Sequence, residues 1–134
     1  PLTGAVVVTT PQDIALIDAK KGLRMFQKVN VPILGIIENM SVFICPHCGE
    51  VEHIFGEGGA KRMSEQYGVP LLGELPLSAK IREQADSGLP TVAAEPDGKE
   101  ALMYREMAMK VAGALARITK DYTAKMPGIR VVND

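Results

Sequence analysis

The chain has 134 residues, 46% of them hydrophobic and 23% charged, with a formal net charge of -1 and two cysteines. That is enough material for one domain with a buried core, while a near-neutral surface with no long basic run exerts little pull on a phosphate backbone, so nucleic acid is not expected as a partner. The longest apolar stretches, residues 4–8 and 33–37, are strand-sized and far short of the roughly 20 residues that cross a bilayer, so no membrane partner is expected either.

Residues 4–9 form a continuous apolar, β-branched run, which predicts a strand buried on both faces. A helix follows, with Thr10 as its N-cap, Pro11 at the first helical position and Asp13 in the first turn. Leu16, Ala19, Leu23 and Phe26 recur at spacings of three and four and give that helix one apolar stripe, to about Val29. Pro32 opens a second strand over 33–37, which stops at Glu38-Asn39. The cysteine loop comes next, and the turn marked by Gly56, Gly58 and Gly59 leads into a helix over 60–67 that Gly68 stops.

A third strand over 71–75 is closed by Pro76, and Ser78 caps a short helix to about Ser87 that Gly88-Leu89-Pro90 ends. Asp97 with Glu100 resembles a capping box, and Tyr104, Met107, Val111, Leu115 and Ile118 line one face of a long final helix. Residues 121–134 read as a tail, loosely held from 126 onward. The seven methionines read as core filler, and Arg82 and Glu83 as an exposed helix face. Strands alternating with helices predict an α/β fold with a parallel sheet, of doubly wound type.

The tetrad Cys45-Pro46-His47-Cys48 holds both cysteines. Two sulfurs three positions apart chelate a soft metal but supply half of the four thiolates that zinc or an iron-sulfur cluster takes. Three readings stand side by side. A thiol oxidoreductase uses such a tetrad, but at a helix N-terminus whose dipole depresses the thiolate pKa, and here Cys48 runs into Gly49 with no immediate helix. A zinc site would add His53 or two sulfurs of a partner chain. A cluster shared across a two-fold axis would complete four thiolates from two copies, and an exposed loop suits delivery of that cluster to another protein. Both cysteines in one pair, in a chain that shows no charged start or apolar leader before its first strand, fit a reducing compartment, the cytoplasm. The start at Pro1 reads as a piece of something larger.

Residues 4–13, 35–41, 45–49 and 54–59, continued by 70–77 and 81–83, together resemble the Mrp/ApbC family of iron-sulfur cluster carrier ATPases, on the MinD-like branch of P-loop NTPases. The resemblance runs from Pro1 to about Ile118. It implies a MinD-like domain over residues 1–120 with its CxxC loop at 39–59, and a cytoplasmic homodimer that binds ATP and carries a 4Fe-4S cluster. Cys45 and Cys48 would then hold the cluster, Asn39 would meet the adenine edge, and Pro76 and Leu77 would pack on the base. Iron-sulfur scaffold and acceptor apoproteins would be its partners, and zinc a substitute metal. The phosphate-binding G-x-x-x-x-G-K-[ST] of that family does not occur in these 134 residues, since Gly98-Lys99 continues into Glu100. The chain therefore matches the C-terminal half, and it is not expected to hydrolyse ATP alone.

Overall fold

The computed structural model describes residues 2–118. In chain order the elements are β1 (Ala5–Thr9), α1 (Asp13–Lys28), β2 (Ile33–Glu38), β3 (Phe43–Ile44), β4 (Val51–Glu52), α2 (Gly59–Tyr67), β5 (Leu71–Glu74), α3 (Ala79–Asp86), α4 (Thr91–Ala94) and α5 (Lys99–Ala116). β1, β2 and β5 form a parallel sheet in the order β1-β2-β5, and β3 and β4 form a separate antiparallel pair.

The apolar stripe of α1 works as its spacing predicts. Leu16 and Leu23 pack with Val7, Ile36, Ala60 and Met63 into one core between the sheet and the helices α1 and α2, with Ala19 against it. Each of the buried Val, Leu, Ile and Met side chains contributes about 1.5–3 kcal/mol of transfer free energy. The next residue along β2, Ile37, stands in register with Gly73 of β5, and a Cβ on Gly73 would run into the Met107 side chain of α5. Because successive strand residues face opposite sides, α5 covers the face away from α1 and α2. Helices thus lie on both faces of the sheet.

Several local expectations fail for identifiable reasons. α1 begins at Asp13, with Gln12 and not Thr10 at the cap position, and the Thr10 hydroxyl turns to the Gln12 side chain at 2.9 Å. α5 is preceded by Gly98 and has no side-chain cap, so Asp97 and Glu100 do not form a capping box. Ser78 does cap α3, its Oγ accepting from the Ile81 N–H at 3.4 Å. Of the methionines, Met63 and Met107 are core, whereas Met25, Met40, Met103 and Met109 are exposed; helical spacing alone does not say whether a neighbour covers the face. Met126 and the tail lie outside the described residues.

The strand over 4–9 is buried on one face only. β1 is an edge strand, and Val8 is 58% exposed. Apolar surface beside the first strand is what a fragment of a larger sheet would show, and Val8 of β1 provides it, with Val6 and Phe26 along the same open edge.

Candidate functional site

Beyond β2 the chain leaves the sheet without letting go of it. The Asn39 N–H donates to the Thr9 carbonyl at 2.7 Å, and the Leu75 N–H to that of Glu38 at 2.8 Å. The Ser41 N–H donates to Leu75 at 2.9 Å, and the Leu77 N–H to Val42 at 2.8 Å. These rungs root a small hairpin in which Phe43 faces Glu52 and Ile44 faces Val51. Both cysteines occupy its turn. The Cys45 N–H donates to the Glu50 carbonyl and the Gly49 N–H to that of Cys45, each at 2.9 Å. Gly49, at φ 74°, supplies the left-handed backbone that closes the turn.

Cys45 is partly exposed, Cys48 is exposed, and both thiols are free. Hydrogen bonds from the backbone of Cys48, then of His47, hold the Cys45 thiol below its usual range, and the Cys48 side chain adds to this. Desolvation and the nearby Glu52 charge oppose the shift without reversing it. Fixed N–H donors aimed at a sulfur favour the thiolate, the form that binds metal. A depressed folded-state pKa means that the thiolate's contribution is present above the unfolded pKa and is lost as pH falls through the folded value. Alkylation of Cys45 by iodoacetamide, localised by tandem mass spectrometry, should accordingly reach half its maximal rate at lower pH in the folded chain than in urea. Equal midpoints would remove the assigned hydrogen bonds.

The surroundings separate the three readings of the pair. A strand, not a helix, follows the cysteine turn, so the dipole that drives a thiol oxidoreductase is absent from this turn. His53 is engaged elsewhere, with Nδ1 3.2 Å from the Ser41 carbonyl and Nε2 3.8 Å from Glu57. Among the described residues no group of three or more His, Cys, Asp and Glu side chains converges, so the one-chain zinc site through His53 is not assembled. Two thiols at an exposed tip remain, and they fit a soft metal or cluster as half of its donor set.

Asn39, Pro76 and Leu77 are brought together. They line a cleft of about 500 Å³ with Met40, Phe43 and Ile81, at the carboxyl end of the parallel strands, where ligands of open α/β sheets gather. The Asn39 Oδ1 accepts from the Met40 N–H at 3.0 Å, so part of its capacity serves the local turn. Asn39 also borders a second cleft, of about 560 Å³, beside Val6, Val8 and Phe26 along the open edge of β1.

One residue at the carboxyl end of β2 escaped sequence reasoning. Glu38 is 1% exposed, and its Oε2 accepts from the Ala60 N–H at 2.6 Å, satisfying one of the free N–H groups at the N-terminus of α2. Its Oε1 has no hydrogen-bond partner among the described residues. A carboxylate after an apolar run reads as a strand end, and only the return of α2 across the sheet buries it.

A parallel sheet covered on both faces, with clefts at its carboxyl end, defines the class as a doubly wound α/β fold. The chain aligns with the MinD cell division ATPase of Pyrococcus furiosus at TM-score 0.64 and 26% identity, over 83% of this chain and 43% of that one. It aligns with a nucleotide-binding protein of Archaeoglobus fulgidus, solved in complex with ADP, at TM-score 0.60 and 31% identity, over 76% and 40%. The family model for ParA, described as NUBPL iron-transfer P-loop NTPase, matches residues 1–112, and the chain belongs to that family. Relatives include the iron-sulfur cluster carrier protein of Escherichia coli K12, 58% identical over 86% of this chain and 31% of its own length. The iron-sulfur cluster transfer protein NUBPL of Mus musculus is 50% identical over 83% of this chain and 35% of its own. The chain thus spans about a third of the curated relatives it matches. No helix among the described residues is long and apolar enough to cross a membrane.

Proposed function

We propose that this chain is the cargo-holding part of an iron-sulfur cluster carrier, in which Cys45 and Cys48 bind one side of a 4Fe-4S cluster and the same pair of a second copy binds the other. The observation that carries the reading is the pair of free thiols on an exposed hairpin tip, in a chain whose family is described by iron transfer. Two donors per subunit leave the cluster divided between two proteins, so a small separation of the copies opens its coordination and hands it to an acceptor apoprotein. Placement at the tip leaves that exchange sterically open. In the whole protein ATP would set the arrangement of the dimer, its base lying against Asn39, Pro76 and Leu77. The site of action is the cytoplasm, with scaffold proteins as donors.

Zinc suits the same sulfurs, so a zinc-bridged dimerisation module is the competing reading. Anaerobic reconstitution with iron and sulfide, with metal content and oligomeric state read on one sample, decides between them. A coloured dimer with about four irons supports the carrier. A colourless sample that takes up zinc at about half an equivalent per chain and no iron supports the module. A colourless monomer with both thiols free defeats both.

A further inference from the structure

We propose that a ligand in the Asn39–Leu77 cleft and a metal on the cysteine turn are energetically coupled through Phe43, so that filling the cleft tightens the hold on the metal. This rests on the reading that Cys45 and Cys48 bind metal and that the cleft accepts a purine base.

Phe43 is the first residue of β3 and is half-buried. Its side chain lines the cleft of Asn39 and Leu77, and it also lines an adjoining cleft of about 460 Å³ whose far side is formed by Ile44 and Pro46, inside the cysteine tetrad. Pro76, Leu77, Ser78 and Ala79 belong to both. A single ring and one stretch of chain therefore form the common wall between the base-side cleft and the metal turn. The backbone makes the same connection, since Leu77 N–H donates to Val42 and Ser41 N–H to Leu75. A shift of the 76–78 segment reaches Cys45 through two residues of a strand.

The hairpin has little else to fix it. Each strand pairs over two residues, and an isolated hairpin of that size is marginal in water. Ile44, Val51 and Ile54 are all more than half exposed, which leaves Phe43 as the one large apolar side chain of its two strands that is half-buried. A planar ligand in the cleft removes the ring of Phe43 from water and restricts it. The turn then loses less conformational entropy when two sulfurs close on a metal. Linkage makes the effect reciprocal: metal on the turn raises affinity for the base by the same factor.

Cobalt(II) tests this on the reduced, anaerobic chain, because its thiolate absorption reports ligation directly. Adenosine serves as the cleft probe, since it lacks the phosphates that would chelate the cobalt. Saturating adenosine is expected to lower the cobalt Kd about fivefold, and cobalt to lower the adenosine Kd by the same factor. At adenosine concentrations that saturate the variant, Phe43→Ala should bring that ratio to one, with Phe43→Leu recovering part of it. In the unmodified chain, adenosine should also slow hydrogen exchange at the Cys45 and Gly49 amides, a readout that needs no variant to fold. A cobalt Kd unchanged by adenosine, from failure to bind or from binding without effect, overturns the coupling while leaving the metal site standing. Full coupling in Phe43→Ala overturns the role of the ring. Absence of any cobalt-thiolate band overturns the metal reading and the coupling with it.

Discussion

A chain carrying Cys45→Ala is expected to leave anaerobic reconstitution colourless and free of cluster iron, under conditions that give the unmodified chain about four irons per dimer. The size of the effect follows from symmetry. In the proposed dimer one substitution would remove two of the four thiolates at once, because each copy would contribute the same residue. It also removes the chelate, since the remaining Cys48 sits exposed at the turn with no second sulfur beside it. The choice of Cys45 matters because its thiolate is the one held by the backbone of Cys48 and His47. The fold should not follow the function down: the turn lies outside the core of Val7, Leu16, Leu23, Ile36, Ala60 and Met63. Surface changes of this kind stay within about 0.5 kcal/mol, so the urea midpoint should be unmoved. A full iron complement in Cys45→Ala would require ligands other than this pair and would end the proposal.

How much of this was legible beforehand depended on whether the cause was local. β1, β2 and β5 were legible because each is an apolar run bounded by Pro, Gly or a polar pair, and α1 because Leu16, Leu23 and their neighbours repeat at helical spacing. The thiols announced themselves through their spacing. The hairpin that presents them did not: Ile44 and Val51 are single exposed residues in two-residue strands, too short for any alternation to register. α4, four residues long, falls below the same limit. The cleft was half legible, since Asn39, Pro76 and Leu77 were named from the resemblance, but Phe43 joins them only through the fold. Glu38 was hidden for a related reason. Gly58, at φ 67°, lets the chain turn into α2, and Gly59 packs so close that a Cβ would stand 2.7 Å from the Pro11 carbonyl. That approach is what sets Ala60 against the Glu38 carboxylate, and nothing in the neighbouring sequence states it.

Replacing Gly35 by alanine is expected to destabilise the chain by about 3–5 kcal/mol, through two penalties that do not relieve one another. Gly35 lies in the middle of β2 with φ 155°, a conformation that costs a residue with a side chain about 1–3 kcal/mol. A Cβ there would also stand 2.5 Å from Leu72 Cγ and 2.6 Å from the Pro70 carbonyl oxygen. The leucine can rotate, but the carbonyl cannot withdraw, because it accepts the Ile36 N–H at 2.8 Å as a rung between β2 and β5. Moving it would break the pairing that carries Glu38 and Asn39 to one end of the sheet and roots the hairpin beyond. The loss is a large part of the 5–15 kcal/mol that holds an ordinary domain together. Urea titration followed by far-UV circular dichroism should show a much lower midpoint, or no folded baseline at all. Cobalt binding at the thiols should weaken in step, since the turn depends on the sheet for its footing. An unchanged midpoint would mean that β2 and β5 do not approach as closely as their register requires.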